Sequence, residues 1–472
     1  MIDDMNALLL SAFWGVIMMF SSFLFKEKSA IRNLAIAGLI LLIAANILEM
    51  NGRILFHIDT RGMIDFDRFS LLFNSIAFVS TFIYFLLSAK DIEKVGENYA
   101  EYFVLIFFIL CGITLVTSFK SLLILFLGIE IISIPLYILT GADKRNLKSN
   151  EASLKYFLMG SFSTGLMLMG IALVYGAKGT FMTGIPLADM TNPATVPSAA
   201  PPLSVLFTAG MLLLLFSMSF KVSAAPFHFW TPDVYDGAPA VFTSFMAKIV
   251  KVAVFAGFIR LFGDAFGTLQ SQWQLLVAII TAATLFIGNI TAVFQQSVKR
   301  MLAYSSISQA GFMLFALYAM NMDAKEGLIL YAAAYSLATI GVFAVLIKLK
   351  DFSFEGFNGF SKKQPLLAAT TTIFLLSLAG IPLTAGFLSK FYMLKAAMAT
   401  GQNLWLVIFA VLMAAVSVFY YFRVIQAMYF KEGDGNADMT VTPAFKSVLV
   451  LLAIVVILLG VFPGLLLNWY YF

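Results

Sequence analysis

What most constrains this chain is the spacing of its apolar runs. Stretches of about 17 to 25 residues with almost no charge recur along nearly the whole sequence, each long enough to cross the roughly 30 Å hydrocarbon layer of a bilayer as a helix. A backbone in lipid must satisfy its own hydrogen bonds, so runs of this kind fold as α-helices. About fourteen spans are read, near residues 7–25, 31–50, 69–88, 101–118, 120–141, 152–176, 203–226, 240–262, 273–294, 300–319, 327–349, 366–397, 402–430 and 444–468. Composition agrees, since 61% of the 472 residues are hydrophobic and only 12% charged, far outside the range of soluble domains. The expected fold is all-α, a polytopic membrane protein with about 14 transmembrane helices and no room for a separate soluble domain.

Charge between the spans gives sidedness. Loops on the side of Lys26, Lys28, Arg32, Lys144, Arg145, Lys148, Lys299, Arg300, Lys362 and Lys363 hold about fourteen Lys and Arg, against about six opposite. The basic side is expected to face the cytoplasm, which puts both termini outside. The net charge of +5 is mostly this orientation signal and does not point to nucleic acid. The N-terminal "MIDDMNALLLSAFWG" lacks a signal peptide's basic leader and small-residue cleavage site. One cysteine, Cys111, and two histidines, His57 and His228, are too few for an iron-sulfur cluster, and His57 in a polar loop argues against a bis-histidine haem. Redox chemistry is therefore expected in partner chains.

Two spans are interrupted. The seventh breaks around "SAAPFHFWTPDVYDGAPA", and the twelfth around "SLAGIPLTAGFLSKF", where Gly380, Pro382 and Gly386 deny a continuous helix its bonds. The breaks are offset by five spans, an odd number, so two five-helix units with a break in the fourth helix of each would be inverted relative to each other. Broken helices near the site of transport are how many ion-moving proteins are built. A single Pro-Gly break is more simply a packing kink; two at matching positions favour function. The units are placed at residues 101–262 and 263–430, with three helices in 1–100 before them and a last helix in 431–472. The stretch "TGIPLADMTNPATVPSAAPP", Thr183 to Pro202, reads as an exposed linker.

Charges inside the spans need an explanation, because each costs about 2.5 to 3.5 kcal/mol at a helix centre. Glu130 stands in the middle of "SLLILFLGIEIISIPLYIL" and cannot reach an interface. Lys248 lies well inside the eighth span, with Lys251 one turn on; either could simply be solvated in a cavity. Lys221 stands before the first break and Lys390 after the second, where a cation capping exposed carbonyls is the plain alternative. Lys155 is close enough to a span end to snorkel, and Glu49, Arg260, Lys348, Lys350, Lys395 and Arg423 read as snorkelling or helix-end pairs. His228 lies in the first break, and a histidine is suited to proton transfer. Desolvation lowers a lysine's pKa and raises a glutamate's, while a nearby opposite charge reverses both. A row of lysines with one glutamate is thus a plausible proton relay; sodium transport is also compatible, although no multi-oxygen cage is evident.

Four stretches, "FHFWTPDVYDGAPA", "VKRMLAYSSISQAGFML", "LGIEIISIPLYIL" and "LAGIPLTAGFLSKFYML", resemble subunit N of bacterial respiratory complex I, called subunit 2 in mitochondria. The likeness covers nearly the whole chain. It implies an antiporter-like bundle of fourteen spans with two inverted five-helix repeats and broken helices 7 and 12, in the bacterial inner membrane with both termini periplasmic. It also implies proton translocation driven by electron transfer from NADH to quinone, with NAD, flavin, iron-sulfur clusters and quinone in or at partner subunits and none in this chain. The implied partners are sister antiporter-like subunits, small membrane subunits and the bilayer. By the same resemblance Glu130 pairs with Lys221, Lys248 is the central lysine of the eighth helix, Lys390 is the lysine near the outward exit, Lys155 modulates the pair, and His228 is the histidine of the break. Lys251 falls outside that pattern, and Tyr335 and Ser336 stand where sister subunits carry a charged or histidine relay residue. The rivals are a subunit of a multi-chain sodium/proton antiporter, a related membrane-bound hydrogenase or ferredoxin-linked complex, and a structural spacer with idle charges; "PDVYDGAP" favours the N type.

Overall fold

Helix starts in this chain are set by short polar side chains. Asp67 accepts a hydrogen bond from the Ser70 amide at 2.8 Å, Asn146 from Lys148 at 3.0 Å, Asn321 from Ala324 at 2.9 Å and Thr442 from Phe445 at 3.3 Å, each satisfying an amide that the first turn leaves open. In this computed structural model, which describes residues 3–53, 55–184, 205–433 and 440–471, those caps open helices at Arg68–Ile92, Leu147–Lys178, Met322–Leu346 and Pro443–Val461. The proline- and alanine-rich linker lies outside the described residues from position 185 onward.

Among the described residues, eleven helices are long and apolar enough to cross a membrane. One of these, Ala240–Val293, runs for 54 residues and turns over at Gly267–Leu269, so it holds two spans. The seventh span divides into Val205–Lys221 and Trp230–Gly237, and the twelfth into Pro365–Ala379 and Ala385–Met398. Among the described residues, ten single spans, two in the long stretch and two broken ones make about fourteen, as expected, and an even number of crossings brings Asp3 and Tyr471 to one end of the bundle. That end also carries an antiparallel pairing of Asp3–Asp4 with His57–Ile58, locked by Asn6, whose side chain bonds the backbone at Arg53 and Leu55. Spans begin a few residues earlier than apolarity alone indicates, as at Leu147, because a polar first turn is still helical.

The tenth span, Val298–Ala319, and the eleventh, Met322–Leu346, are buried along nearly their whole length and form the axis. The first, second, thirteenth and fourteenth bury one stripe only. Lipid gives helices no hydrophobic reason to associate, so close packing must do it. The sixth and seventh spans meet at Gly170 and Gly210, where a Cβ on Gly210 would come within 2.8 Å of the Gly170 carbonyl.

At both breaks, backbone groups that the helix releases are taken up by neighbouring side chains. After Lys221 the chain turns through Ser223, at φ 65°, and the freed Ala225 amide is bonded at 2.9 Å by Thr284 of the ninth span, Gln270–Val293. Trp230 Nε1 reaches back to the Phe220 carbonyl at 3.1 Å, and Thr231 bonds Ser223 at 2.7 Å. In the twelfth span the first half ends at Gly380, φ 85°, and the second begins against it, the Gly386 amide bonding Ser377 Oγ at 3.1 Å. Here a Cβ on Gly386 would lie 1.8 Å from the Ser377 carbonyl oxygen, so the two half-helices touch only because this residue has no side chain.

Gly386→Val should therefore destabilise the assembled protein by about 3 kcal/mol, the upper end of overpacking costs, read as a lower thermal midpoint and less assembled protein in membranes. Thr284→Val should cost about 1 to 3 kcal/mol by orphaning the Ala225 amide, while Thr284→Ser, which keeps the hydroxyl, should stay close to wild type in the same measurement.

Candidate functional site: a buried row of amines

The fifth span, Leu122–Thr140, carries Glu130 and, one turn later, Ser133 on the same face. Glu130 accepts a bond from Thr164 of the sixth span at 2.8 Å, and Lys221 donates to Ser133 Oγ at 2.8 Å. The two charges expected to pair are thus neighbours held on hydroxyls, and no direct ion pair joins them among the described residues. His228 is buried in the break with its ring against Phe229, and its Nδ1 has no hydrogen-bond partner among the described residues. Among the described residues no hydrogen bond joins it to Lys221.

The eighth span contains a π-helical turn, Met246–Val250. That extra residue in the turn splits the directions of its two lysines. Lys248, fully buried, donates to Ser244 Oγ at 3.2 Å and lies over the Tyr84 ring of the third span at 4.7 Å. Lys251 points the other way and donates to the Ser306 carbonyl at 2.8 Å and to Ser306 Oγ at 3.2 Å, on the tenth span. With 2% of its surface exposed, Lys251 is no solvated bystander; it is the lysine of this span that touches the tenth. Tyr335 of the eleventh span closes the π turn by donating to the Ala247 carbonyl at 2.8 Å, while Ser336 Oγ beside it is unpartnered among the described residues.

Beyond Ser306 the polar groups continue. Ser305 bonds Tyr421 of the thirteenth span, Leu404–Phe430. Gln309, buried, donates to the Tyr421 hydroxyl at 3.1 Å and to the Leu378 carbonyl at 2.9 Å, and accepts from Tyr331. Lys390 donates to that same Leu378 carbonyl at 2.9 Å and to Ala379 at 3.0 Å, its amine 4.7 Å from the Phe312 ring centroid. Lys390 therefore does cap the open carbonyls of a broken helix, as the plain reading had it, and it does so at the end of a hydrogen-bonded chain that starts on the tenth span. Lys221, Lys248, Lys251 and Lys390 form no ion pair with a described carboxylate; their ligands are hydroxyls, carbonyls and ring faces.

Lys155 stands elsewhere. It pairs with Glu151 at 2.7 Å and Asp233 at 3.0 Å, in a cavity of about 230 Å³ at the basic end that Lys148, Asp236 and Arg300 also line. The charges near span ends are paired as expected. Arg260 meets Asp67 at 2.5 Å, Lys348 meets Asp91 at 2.5 Å, Lys395 meets Asp323 at 2.8 Å, and Arg423 bonds the Val293 carbonyl at 2.7 Å. Glu49 accepts from the Ala7 amide at 3.2 Å, in the first turn of the first span. Among the described residues no group of three or more His, Cys, Asp and Glu side chains could hold a metal ion.

Sequence reasoning missed Ser306, Gln309, Tyr331 and Tyr421 as members of the row, gave Asp233 no role, and used Arg300 only as a mark of sidedness. The signal was present in "AYSSISQAGF", where Ser305, Ser306, Ser308 and Gln309 crowd a span that is buried on all sides. Polar groups in such a span must be bonded to each other or to something that moves.

A family model described as "NADH:quinone oxidoreductase/Mrp antiporter, TM" matches residues 120–417. A protein of Cytophaga hutchinsonii named NADH-quinone oxidoreductase subunit N is 40% identical, the match covering 98% of this chain and 99% of that one. In a solved structure of respiratory complex I from Thermus thermophilus with bound aureothin, one chain is 30% identical with a TM-score of 0.83, 98% of each chain being covered. A chain of the Mrp complex from Dietzia, 18% identical over 98% of this chain and 96% of its own length, shares the fold at a TM-score of 0.82. With the broken seventh and twelfth spans, the buried lysines and these matches over almost its whole length, the chain belongs to the NADH-quinone oxidoreductase subunit N family.

Proposed function

We propose that this chain is a proton-translocating membrane subunit of an NADH-quinone oxidoreductase, and that its protons pass along Glu130, Lys221, Lys248, Lys251 and Lys390 while partner subunits carry electrons from NADH to quinone. The observation that carries the reading is the row of four amines, Lys221 half-buried and the other three buried, held by neutral oxygens and ring faces across both broken-helix units. An ammonium donates three hydrogen bonds; the neutral amine still donates two and accepts one. A proton can therefore leave such a site without orphaning its neighbours. A carboxylate partner would instead hold the charge in place.

In the first unit Glu130 and Lys221 supply the switch. Their hydroxyl partners, Thr164 and Ser133, hold them apart here. Closing the pair favours charged Lys221, and opening it favours proton release toward the eighth span. Lys248 receives from the first unit, and Lys251 delivers to Ser306. From there Ser305, Tyr421, Gln309 and the Leu378 carbonyl orient the path to Lys390. Lys155 acts on the field at the mouth, and His228 stands in the break as an auxiliary proton carrier. The two units are residues 101–262 and 263–430, between helices in 1–100 and the last span in 431–472. The basic end faces the cytoplasm of a bacterial cell, so both termini are periplasmic. NAD, flavin, iron-sulfur clusters and quinone belong to partner subunits, and sister antiporter-like subunits and small membrane subunits are the neighbours within the membrane.

Glu130→Gln and Lys221→Met should each lower NADH-driven proton uptake into inverted membrane vesicles by about 10-fold or more, with assembled complex still present. Wild-type pumping by both would sink the relay. Lys251→Met should have a comparable effect; if it pumps normally, Lys248 alone serves the centre.

A further inference from the structure

The short helix Trp230–Gly237 that follows the first break is tied down by one carboxylate with two masters. Asp233 Oδ2 accepts from Lys155 Nζ at 3.0 Å, and Oδ1 from Arg300 Nη2 at 3.0 Å. Lys155 belongs to the sixth span, in the first five-helix unit, and Arg300 to the first turn of the tenth, in the second unit. Further contacts fix the same short helix from both sides. Lys299 donates to the carbonyls of Asp236 at 2.7 Å and Ala238 at 2.6 Å, placing a cation at the helix's negative end. Tyr156, next to Lys155, stacks on Trp230 with ring centroids 4.6 Å apart and planes within 9°. Trp230 in turn holds the carbonyl of Phe220, the residue before Lys221.

We propose that Asp233 is a positioning residue that couples the two units: it links the Lys221 end of the seventh span to the tenth span, which carries Ser306 and Gln309. This rests on the proton-relay reading above. From Asp233 the first-unit route runs through less than one helical turn to Trp230, then to the Phe220 carbonyl and Lys221. The second-unit route runs through Arg300 and under two turns of the tenth span to Ser306, where Lys251 is bound. A shift of either span alters the share of the carboxylate that Lys155 or Arg300 holds. When one cation withdraws, the carboxylate is free to turn fully to the other, which gives the element two discrete arrangements, the requirement for physical coupling between sites.

The magnitudes fit a switch better than a staple. The Asp233 side chain is 38% exposed and that of Lys155 42%, so each ion pair is worth only about 0 to 1 kcal/mol of stability. Removing the charge therefore leaves the fold standing while loosening the link. The surrounding cavity of about 230 Å³ holds Lys148, Lys155 and Arg300 against Glu151, Asp233 and Asp236, a balanced set in which losing Asp233 leaves an excess of positive charge.

The test is the number of protons moved per NADH oxidised in inverted vesicles containing the whole complex. Asp233→Asn should lower that ratio by about two-fold or more, and Asp233→Glu, which keeps a carboxylate, should recover most of it. Lys155→Met should lower it too, and the Asp233→Asn, Lys155→Met double variant should be no worse than the poorer single one, as for two ends of one link. Glu130→Gln is run alongside. If Glu130→Gln is impaired and Asp233→Asn pumps at the wild-type ratio, Asp233 has no coupling role; if Glu130→Gln itself is normal, the relay reading has failed instead. Should Asp233→Asn not assemble, Arg300→Gln reads the link from the second unit, and a wild-type ratio there overturns the proposal.

Discussion

Four amines set in an apolar bundle, three buried and Lys221 half-buried, must be solvated by something, and the rest of this structure follows from what does it. At about 2.5 to 3.5 kcal/mol for each charge at a span centre, the four together approach the whole stability of a typical fold. Carboxylates would be the strongest answer, but they are not used at Lys221, Lys248, Lys251 or Lys390. Hydroxyls, backbone carbonyls and aromatic faces are used instead. Hydroxyls come from any helix, but free carbonyls inside a membrane come only from helices that stop or loosen. The end of the first half of the twelfth span supplies two such carbonyls to Lys390, whereas the Ser306 carbonyl, inside the unbroken tenth span, takes the Lys251 amine as a second donor.

The same interruptions would be unstable alone, which explains how the bundle is assembled around them. Two groups freed in the seventh-span break are met from other elements, the Ala225 amide by Thr284 of the ninth span and the Phe220 carbonyl by Trp230 from beyond the break. The second break closes on itself through Ser377 and Gly386. The fully buried tenth and eleventh spans run between these regions and carry the polar side chains that face them. Burial on all sides is what lets Gln309 and Tyr331 keep one geometry, since no lipid or loop competes for their hydrogen bonds.

Much of this architecture was legible in the sequence because it is written in one dimension. Spans announce themselves by length and apolarity, breaks by Pro and Gly, and Glu130, Lys221 and Lys390 by being charged where charge is costly. The helix-end role of Arg260 was equally legible, since a position near a span end predicts a partner such as Asp67. What could not be read is direction. Lys248 and Lys251 have the spacing of two residues on one face, yet a π turn sends one to the third span and the other to the tenth. Lys155 was legible as a lysine near a span end, and the fold does place its amine at the mouth; that its partner there is Asp233 was not legible. Gln309 and Tyr421 carry no charge and so gave no alarm; their importance lies in contacts made 112 residues apart.

The π turn at Met246–Val250 has a consequence for how such a chain can diverge. A π turn is equivalent to one residue added within an α-helix, and one residue of α-helix is worth about 100° of rotation. Losing a single codon between the two lysines would restore regular winding and leave Lys251 on nearly the same side relative to Lys248, because residues two apart in an α-helix lie about 200° apart. Straightening the turn at unchanged length would instead swing Lys251 by about 100° toward the face of Lys248, with no lysine lost. For members of this family, a one-residue gap at this turn can leave the circuit intact, whereas the same lysines three apart in a regular helix would be wired differently.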